Sequence, residues 1–153
     1  MVYYADTSVL VKRHLTEKGS AWVRALSAPL AGNLIITTQL SLVELYSALN
    51  RRVRENSINS LWYTRIIAVS NRIWSSQYDI IGLNASLVSE TRDLCERHPL
   101  RAYDAVQLAS AIQARRDLLA AGSAAPIFLS ADDRLLKAAQ AEGFATDNPN
   151  SHP

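Results

Sequence analysis

Val2-Tyr3-Tyr4-Ala5-Asp6-Thr7-Ser8 is a short apolar run that stops at a carboxylate, continues into two hydroxyls and gives way to a new apolar pattern at Val9, Leu10, Val11 and Leu15. The run reads as a buried strand, and the pattern after it suits a helix packed over that strand. Asp6 then lies at the carboxyl end of a strand, where ligands gather in open α/β sheets. Asp6 and Ser8 are also good helix caps, which is the ordinary use of such residues. The rest of the chain has to decide between a cap and a site.

The same arrangement recurs. Asn33-Leu34-Ile35-Ile36-Thr37-Thr38 is β-branched and apolar enough for a second buried strand. The helix after it carries a stripe at Leu42, Leu45, Tyr46, Leu49 and Val53, with Glu44 off the stripe. Ser41-Leu42-Val43-Glu44 also fits a capping box, in which Glu44 would reach back to the Ser41 amide. Pro126-Ile127-Phe128-Leu129 reads as another strand, followed at once by Ser130-Ala131-Asp132-Asp133. Asp104 stands at the start of a helix with the stripe Ala105, Leu108, Ala109 and Ile112, where an acid also favours the helix dipole.

Between these segments lie a polar turn around Gly19 and a short helix over residues 21–26. Arg51, Arg52 and Arg54 are expected in the connection to a third helix near Ser57 to Ser75, striped by Ile58, Leu61, Trp62, Ile66, Val69 and Ile73. The two helices would form a hairpin whose stripe either packs on the core or meets a partner. A weaker strand is expected at Asp79-Ile80-Ile81-Gly82, a helix capped by Asn84, a last helix ending at Gly143, and an edge strand at Phe144-Ala145-Thr146. Strands alternating with helices imply an α/β fold, a mostly parallel central sheet with helices on both faces. Residues 1–147 form one domain in this reading, and 148–153 a short polar tail.

Parallel order would bring Asp6, Glu44 and Asp132 to one sheet edge, with Asp104 able to join them. Converging carboxylates raise one another's pKa, and a hard divalent cation relieves that cost. Mg²⁺ or Mn²⁺ suits oxygen ligands, and two such ions can hold a phosphodiester and activate water. Cys95 and His98 have a metal-site spacing but no second pair. The glycines form neither a dinucleotide fingerprint nor a P-loop, so no nucleotide cofactor is expected. Asp6-Thr7-Ser8 lacks the second aspartate of a haloacid-dehalogenase-type phosphatase, and no nucleophile elbow accompanies His14, His98 or His152.

At 153 residues, with 48% hydrophobic and 20% charged residues, the chain suits one globular domain. Its net charge of +2 permits a nucleic-acid partner without arguing for one. A single cysteine, Cys95, excludes an internal disulfide. With no signal-peptide pattern and no stretch suited to spanning a membrane, a reducing cytoplasmic setting is the expectation.

Four segments together resemble the PIN-domain ribonucleases, specifically the VapC-type toxins of toxin–antitoxin pairs. They are Tyr4-Ala5-Asp6-Thr7-Ser8-Val9-Leu10, Ser41-Leu42-Val43-Glu44-Leu45, Tyr103-Asp104-Ala105-Val106-Gln107-Leu108-Ala109-Ser110-Ala111 and Leu129-Ser130-Ala131-Asp132. The resemblance implies an α/β/α sandwich and a Mg²⁺- or Mn²⁺-dependent endoribonuclease. Asp6, Glu44, Asp104 and Asp132 would be its catalytic, metal-binding acids, with Ser8 and Ser130 as assisting hydroxyls. The family's Thr-x-Asp is Ser130-Ala131-Asp132 here, and Asp133 competes with the favoured Asp132 as fourth ligand. A homodimer, an RNA substrate and an inhibitory antitoxin are further implications, with part of the antitoxin contact expected around residues 41–75. Lys12, Arg13, Arg51 and Arg54 are the expected RNA-binding cations. An RNA-processing nuclease without antitoxin, or an inactive RNA- or protein-binding module, would share most of these features.

Overall fold

A computed structural model describes residues 1–152. Its five strands are β1 (Val2–Ala5), β2 (Leu34–Thr38), β3 (Tyr78–Ile81), β4 (Ile127–Leu129) and β5 (Thr146–Asp147). They form one sheet in the order β3-β2-β1-β4-β5, with every pairing parallel. The helices are α1 (Thr7–His14), α2 (Ser20–Leu26), α3 (Leu40–Arg54), α4 (Ser60–Gln77), α5 (Ala85–Arg97), α6 (Ala102–Ala120) and α7 (Asp133–Ala141).

The central strand is β1, and side-chain alternation along it explains the layers. Tyr4 joins Ile36 and Phe128 in a core with residues of α5, α6 and α7. Tyr3 and Ala5 join Ile35 and Leu129 in a second core with Val9 and Leu10 of α1 and Val23 and Leu26 of α2. Strands buried on both faces read as continuous apolar runs, which is why β1 and β2 were legible without alternation. A third cluster, Leu15, Leu45, Leu49 and Ile66, seats the α3–α4 hairpin on the end of α1.

Several expectations change in detail. Arg51, Arg52 and Arg54 belong to the last turns of α3 rather than to the connection after it. Along α4, Ile66, Ser70 and Ile73 are buried, whereas Leu61, Trp62 and Val69 are more than half exposed. The expected single stripe therefore splits between two faces. The last edge strand falls at Thr146–Asp147, beyond Phe144, because Phe144 is buried against Phe128. Residues 148–152 do not trail away. Pro149 is buried, and its carbonyl would stand 2.1 Å from a Cβ added at Gly19, whose φ is +79°. The His152 ring stacks on Trp22 with centroids 4.0 Å apart. No helix among the described residues is long and apolar enough to cross a membrane.

Candidate active site

Strand order puts the switch point of the sheet between β1 and β4, since connections leave β1 towards β2 on one side and arrive at β4 on the other. Crevices open outside the carboxyl ends of such a pair. Asp6 directly follows β1, and Ser130 directly follows β4.

Asp6 caps α1, accepting from the Val9 amide at 3.1 Å, so the ordinary use of this residue is real. Its other bonds go further. Oδ1 also accepts from Ser8 Oγ, and Oδ2 from Ser130 Oγ, each at 2.6 Å. The two serines are held in turn: the Ala131 amide donates to Ser8 Oγ at 2.8 Å and the Asp132 amide to Ser130 Oγ at 3.0 Å. A cap alone would not require the turn after β4. Burial raises the Asp6 carboxyl to about 6, against these donors and with a further push from the Glu44 charge.

Glu44 forms no capping box. Helix α3 begins at Leu40 with Gln39 as its cap, and Ser41 lies inside it, its Oγ 2.8 Å from Thr37 Oγ1. Glu44 Oε2 instead accepts from Thr7 Oγ1 and, at 2.8 Å, from Gln107 Nε2. Gln107 and Thr7 were not expected in the site. Gln107 and Thr7 lie within the quoted segments, but a glutamine flanking an apolar helical stripe and a hydroxyl between Asp6 and Ser8 carried no role of their own. Only burial in the folded chain reveals Gln107, which is 3% exposed.

Asp104 sits in the first turn of α6, and Asp132 caps α7 through the Arg134 amide at 2.8 Å. Burial first, and then the Asp132 charge, raise the Asp104 carboxyl above its usual range. Burial pushes Asp132 up as well, but the Arg134 side chain and amide outweigh it and hold that carboxyl low. Asp133 is exposed and accepts from Asn148 Nδ2 at 2.8 Å, on the side of the terminal segment. The acids thus stand in two like-charged pairs, Asp6 with Glu44 and Asp104 with Asp132. Among the described residues, no three His, Cys, Asp or Glu groups converge closely enough to hold one ion. The donor chemistry of the pairs is nevertheless all carboxylate and hydroxyl oxygen, which suits Mg²⁺ or Mn²⁺ rather than zinc. The histidines lie elsewhere: His14 meets Ser70, His98 meets Glu142 and His152 meets Asp147.

A cleft of about 640 Å³ opens at Glu44, lined also by Thr7 and Ser8 and, further along α3, by Arg51, Arg52 and Arg54, while Asp6, Asp104 and Asp132 are not among its lining residues. Arg51 meets only Glu55, at 3.9 Å with both side chains exposed, a weak restraint. Lys12 lines the cleft but is 5% exposed and donates to the Lys18 carbonyl at 2.9 Å, so its charge is largely spent within the chain. Arg13 is turned away from the cleft, donating to Tyr78 Oη at 2.9 Å and to Gln77. Of the four expected RNA-binding cations, Arg51, Arg54 and the buried Lys12 line the cleft, and Arg52, which was not among the four, lines it while paired with Glu17.

Solved structures with the same fold span nearly the whole chain. VapC20 of Mycobacterium tuberculosis, described as a toxin that cleaves the sarcin–ricin loop, is 17% identical over 100% of both chains with a TM-score of 0.63. VapBC2 of Rickettsia felis, solved on a promoter DNA fragment, is 14% identical over 97% of this chain and 98% of that one, with a TM-score of 0.61. FitAcB of Neisseria gonorrhoeae is 15% identical over the same shares, also at 0.61. No curated protein matches the sequence. The PIN domain family matches residues 3–140, which span the opening Asp6 stretch, Glu44, Asp104 and Asp132 in order, and the chain therefore belongs to the PIN-domain family.

Proposed function

We propose that this chain is a Mg²⁺- or Mn²⁺-dependent endoribonuclease of the VapC toxin type, hydrolysing RNA phosphodiesters by activated water and restrained by an antitoxin. The observation that carries the reading is the meeting of Asp6, Ser8 and Ser130 at the sheet's switch point, with Glu44 beside them and an arginine-lined cleft alongside. Asp6, Glu44, Asp104 and Asp132 would hold the metal, with Asp132 preferred to Asp133 because its charge is the one felt by Asp104. Bound metal supplies Lewis acidity at the phosphate and lowers the pKa of its bound water.

The chain's own residues account for the rest. Ser8 and Ser130 donate to Asp6 while accepting backbone amides, and Thr7 donates to Glu44. In this reading the three hydroxyls are engaged in holding the carboxylates, and the attacking oxygen comes from water. It bonds to phosphorus, the P–O3′ bond breaks, and the proton passes to the departing 3′-oxygen, leaving 5′-phosphate and 3′-hydroxyl ends. Arg51 and Arg54 neutralise phosphates beside the scissile one, and the sheet edge fixes the acids against them. VapC20 and the antitoxin complexes among its structural likenesses support the same reading by analogy of fold.

The separation of the acids into two pairs favours one second reading, an RNA-binding PIN module without catalysis. Incubating labelled total RNA with the protein in Mn²⁺ or in chelator separates the two. Discrete cuts that need metal and disappear in Asp104→Asn are expected; RNA retained intact by a folded, Mn²⁺-saturated protein would sink the nuclease reading.

A further inference from the structure

The buried hub of the site is Gln107, in the second turn of α6, and none of the acid chemistry uses it directly. Its Nε2 lies 2.8 Å from Glu44 Oε2, 2.9 Å from Thr7 Oγ1 and 3.0 Å from Ser41 Oγ. Its Oε1 accepts from Tyr4 Oη at 2.9 Å. One amide therefore touches the central strand and both helices that follow the first two strands. Asp104 is carried one turn earlier on the same helix.

Hydrogen-bond chemistry fixes which way the amide faces. The Glu44 carboxylate only accepts, so the NH₂ end of Gln107 must meet it, which leaves the carbonyl end to accept from the buried Tyr4 phenol. Glu44 is the one charged acceptor of the three within reach of the NH₂ end. Turned over, the amide would set oxygen against carboxylate. Both Glu44 bonds fall on Oε2, and among the described residues Oε1 has no partner. One carboxylate oxygen is anchored while the other stays available at the cleft that Glu44 lines.

We infer that Gln107 is a positioning residue that aims the Glu44 carboxylate and locks it to α1 and α6, setting the ligand geometry of the metal site. This rests on the nuclease reading above. Glutamate at this place would confront Glu44 with a second carboxylate, and an apolar residue would release it to rotate. Partners that orient ligating carboxylates typically contribute 10–100-fold to metal affinity.

Mn²⁺ titration by calorimetry, with melting curves and RNA affinity in chelator, tests the assignment on the full chain. Gln107→Met is expected to weaken Mn²⁺ binding about 10–100-fold, to lower kcat for RNA cleavage with KM nearly unchanged, and to leave RNA affinity in chelator as in wild type. Because Met strands the Tyr4 hydroxyl, the double variant Tyr4→Phe with Gln107→Met removes that unpaired donor and is the measurement of record if the single variant melts early. Tyr4→Phe alone should keep Mn²⁺ affinity near wild type. A folded Gln107→Met or double variant that binds Mn²⁺ as tightly as wild type overturns the positioning role alone. A wild type that binds no Mn²⁺ overturns the metal-dependent reading and this inference together.

Discussion

Replacing Asp6 by asparagine is expected to make the protein more stable while abolishing RNA cleavage, although Asp6 caps a helix. The magnitude follows from burial. The native carboxyl ionises at about 6 where the unfolded chain ionises at 3.8. A group raised in this way favours the folded state below 3.8 and loses that contribution as pH rises through 6. At pH 7 the ionised carboxylate therefore costs about 3 kcal/mol, at 1.36 kcal/mol per pH unit. Asparagine keeps Oδ1 for Val9 and Ser8, and its NH₂ must face Ser130 Oγ, which has to turn its proton elsewhere, a loss of about 1 kcal/mol. The net gain of about 2 kcal/mol corresponds to roughly 4–8 °C in Tm for a domain of this size. Thermal melts in chelator at pH 7.5 and pH 4.5 read it directly. The advantage of Asp6→Asn should be full at the higher pH and nearly vanish at the lower, where the native wild type is already protonated. An asparagine variant less stable than wild type at pH 7.5, or a gap indifferent to pH, would refute the view that this carboxylate is held ionised against its burial.

His14 should act in the opposite sense. Burial, helped by the Arg13 charge, lowers it from 6.5 to about 4, so its contribution is present above 6.5 and lost as pH falls through 4, at most about 3 kcal/mol. Urea titrations at pH 7 and pH 4.5 should show His14→Gln losing less stability on acidification than wild type, and equal losses would exclude the assignment. Since Asp6 and His14 nearly offset each other between pH 6 and 4, Asp6→Asn should show a steeper acid loss than wild type in the same titrations. For the cleft, replacing Arg51 and Arg54 together by glutamine should reduce the salt dependence of RNA binding in chelator by about 1.4 in the slope of log K against log salt, at about 0.7 per phosphate contact on a single strand. An unchanged slope would place the RNA elsewhere.

The layers of the fold were legible because β1, β2 and β4 are buried on both faces, so their apolar runs needed no partner to be recognised. Parallel order does bring the residues after β1 and β4 to one edge, where Asp6 meets Ser130, whereas Asp132 stands with Asp104. What periodicity misses is which of two local uses a polar residue takes. Asp6 takes both, capping α1 and reaching Ser130; Glu44 rejects the capping box because Thr7 and Gln107 offer donors in a drier place. Arg13 was misplaced for a related reason. Lys12 and Arg13 adjoin in sequence, but successive residues on a helix point about 100° apart, and only the packed β3 end shows that Tyr78 and Gln77 claim Arg13. Along α4 the exposed Trp62 carries Arg65 over its ring, a contact of the surface that a count of apolar positions assigns to the core.

Asp6 draws one serine from two residues away and the other from 124 residues away. The first is at hand almost as soon as the acid is made. The second, at about 5–20 residues per second of synthesis, follows roughly 6–25 s later. Throughout that interval the central strand lacks its β4 neighbour and the acid lacks half of its support. The site around Asp6 is thus not assembled as its first residues are made, because it closes only when the segment after β4 has come back to meet β1.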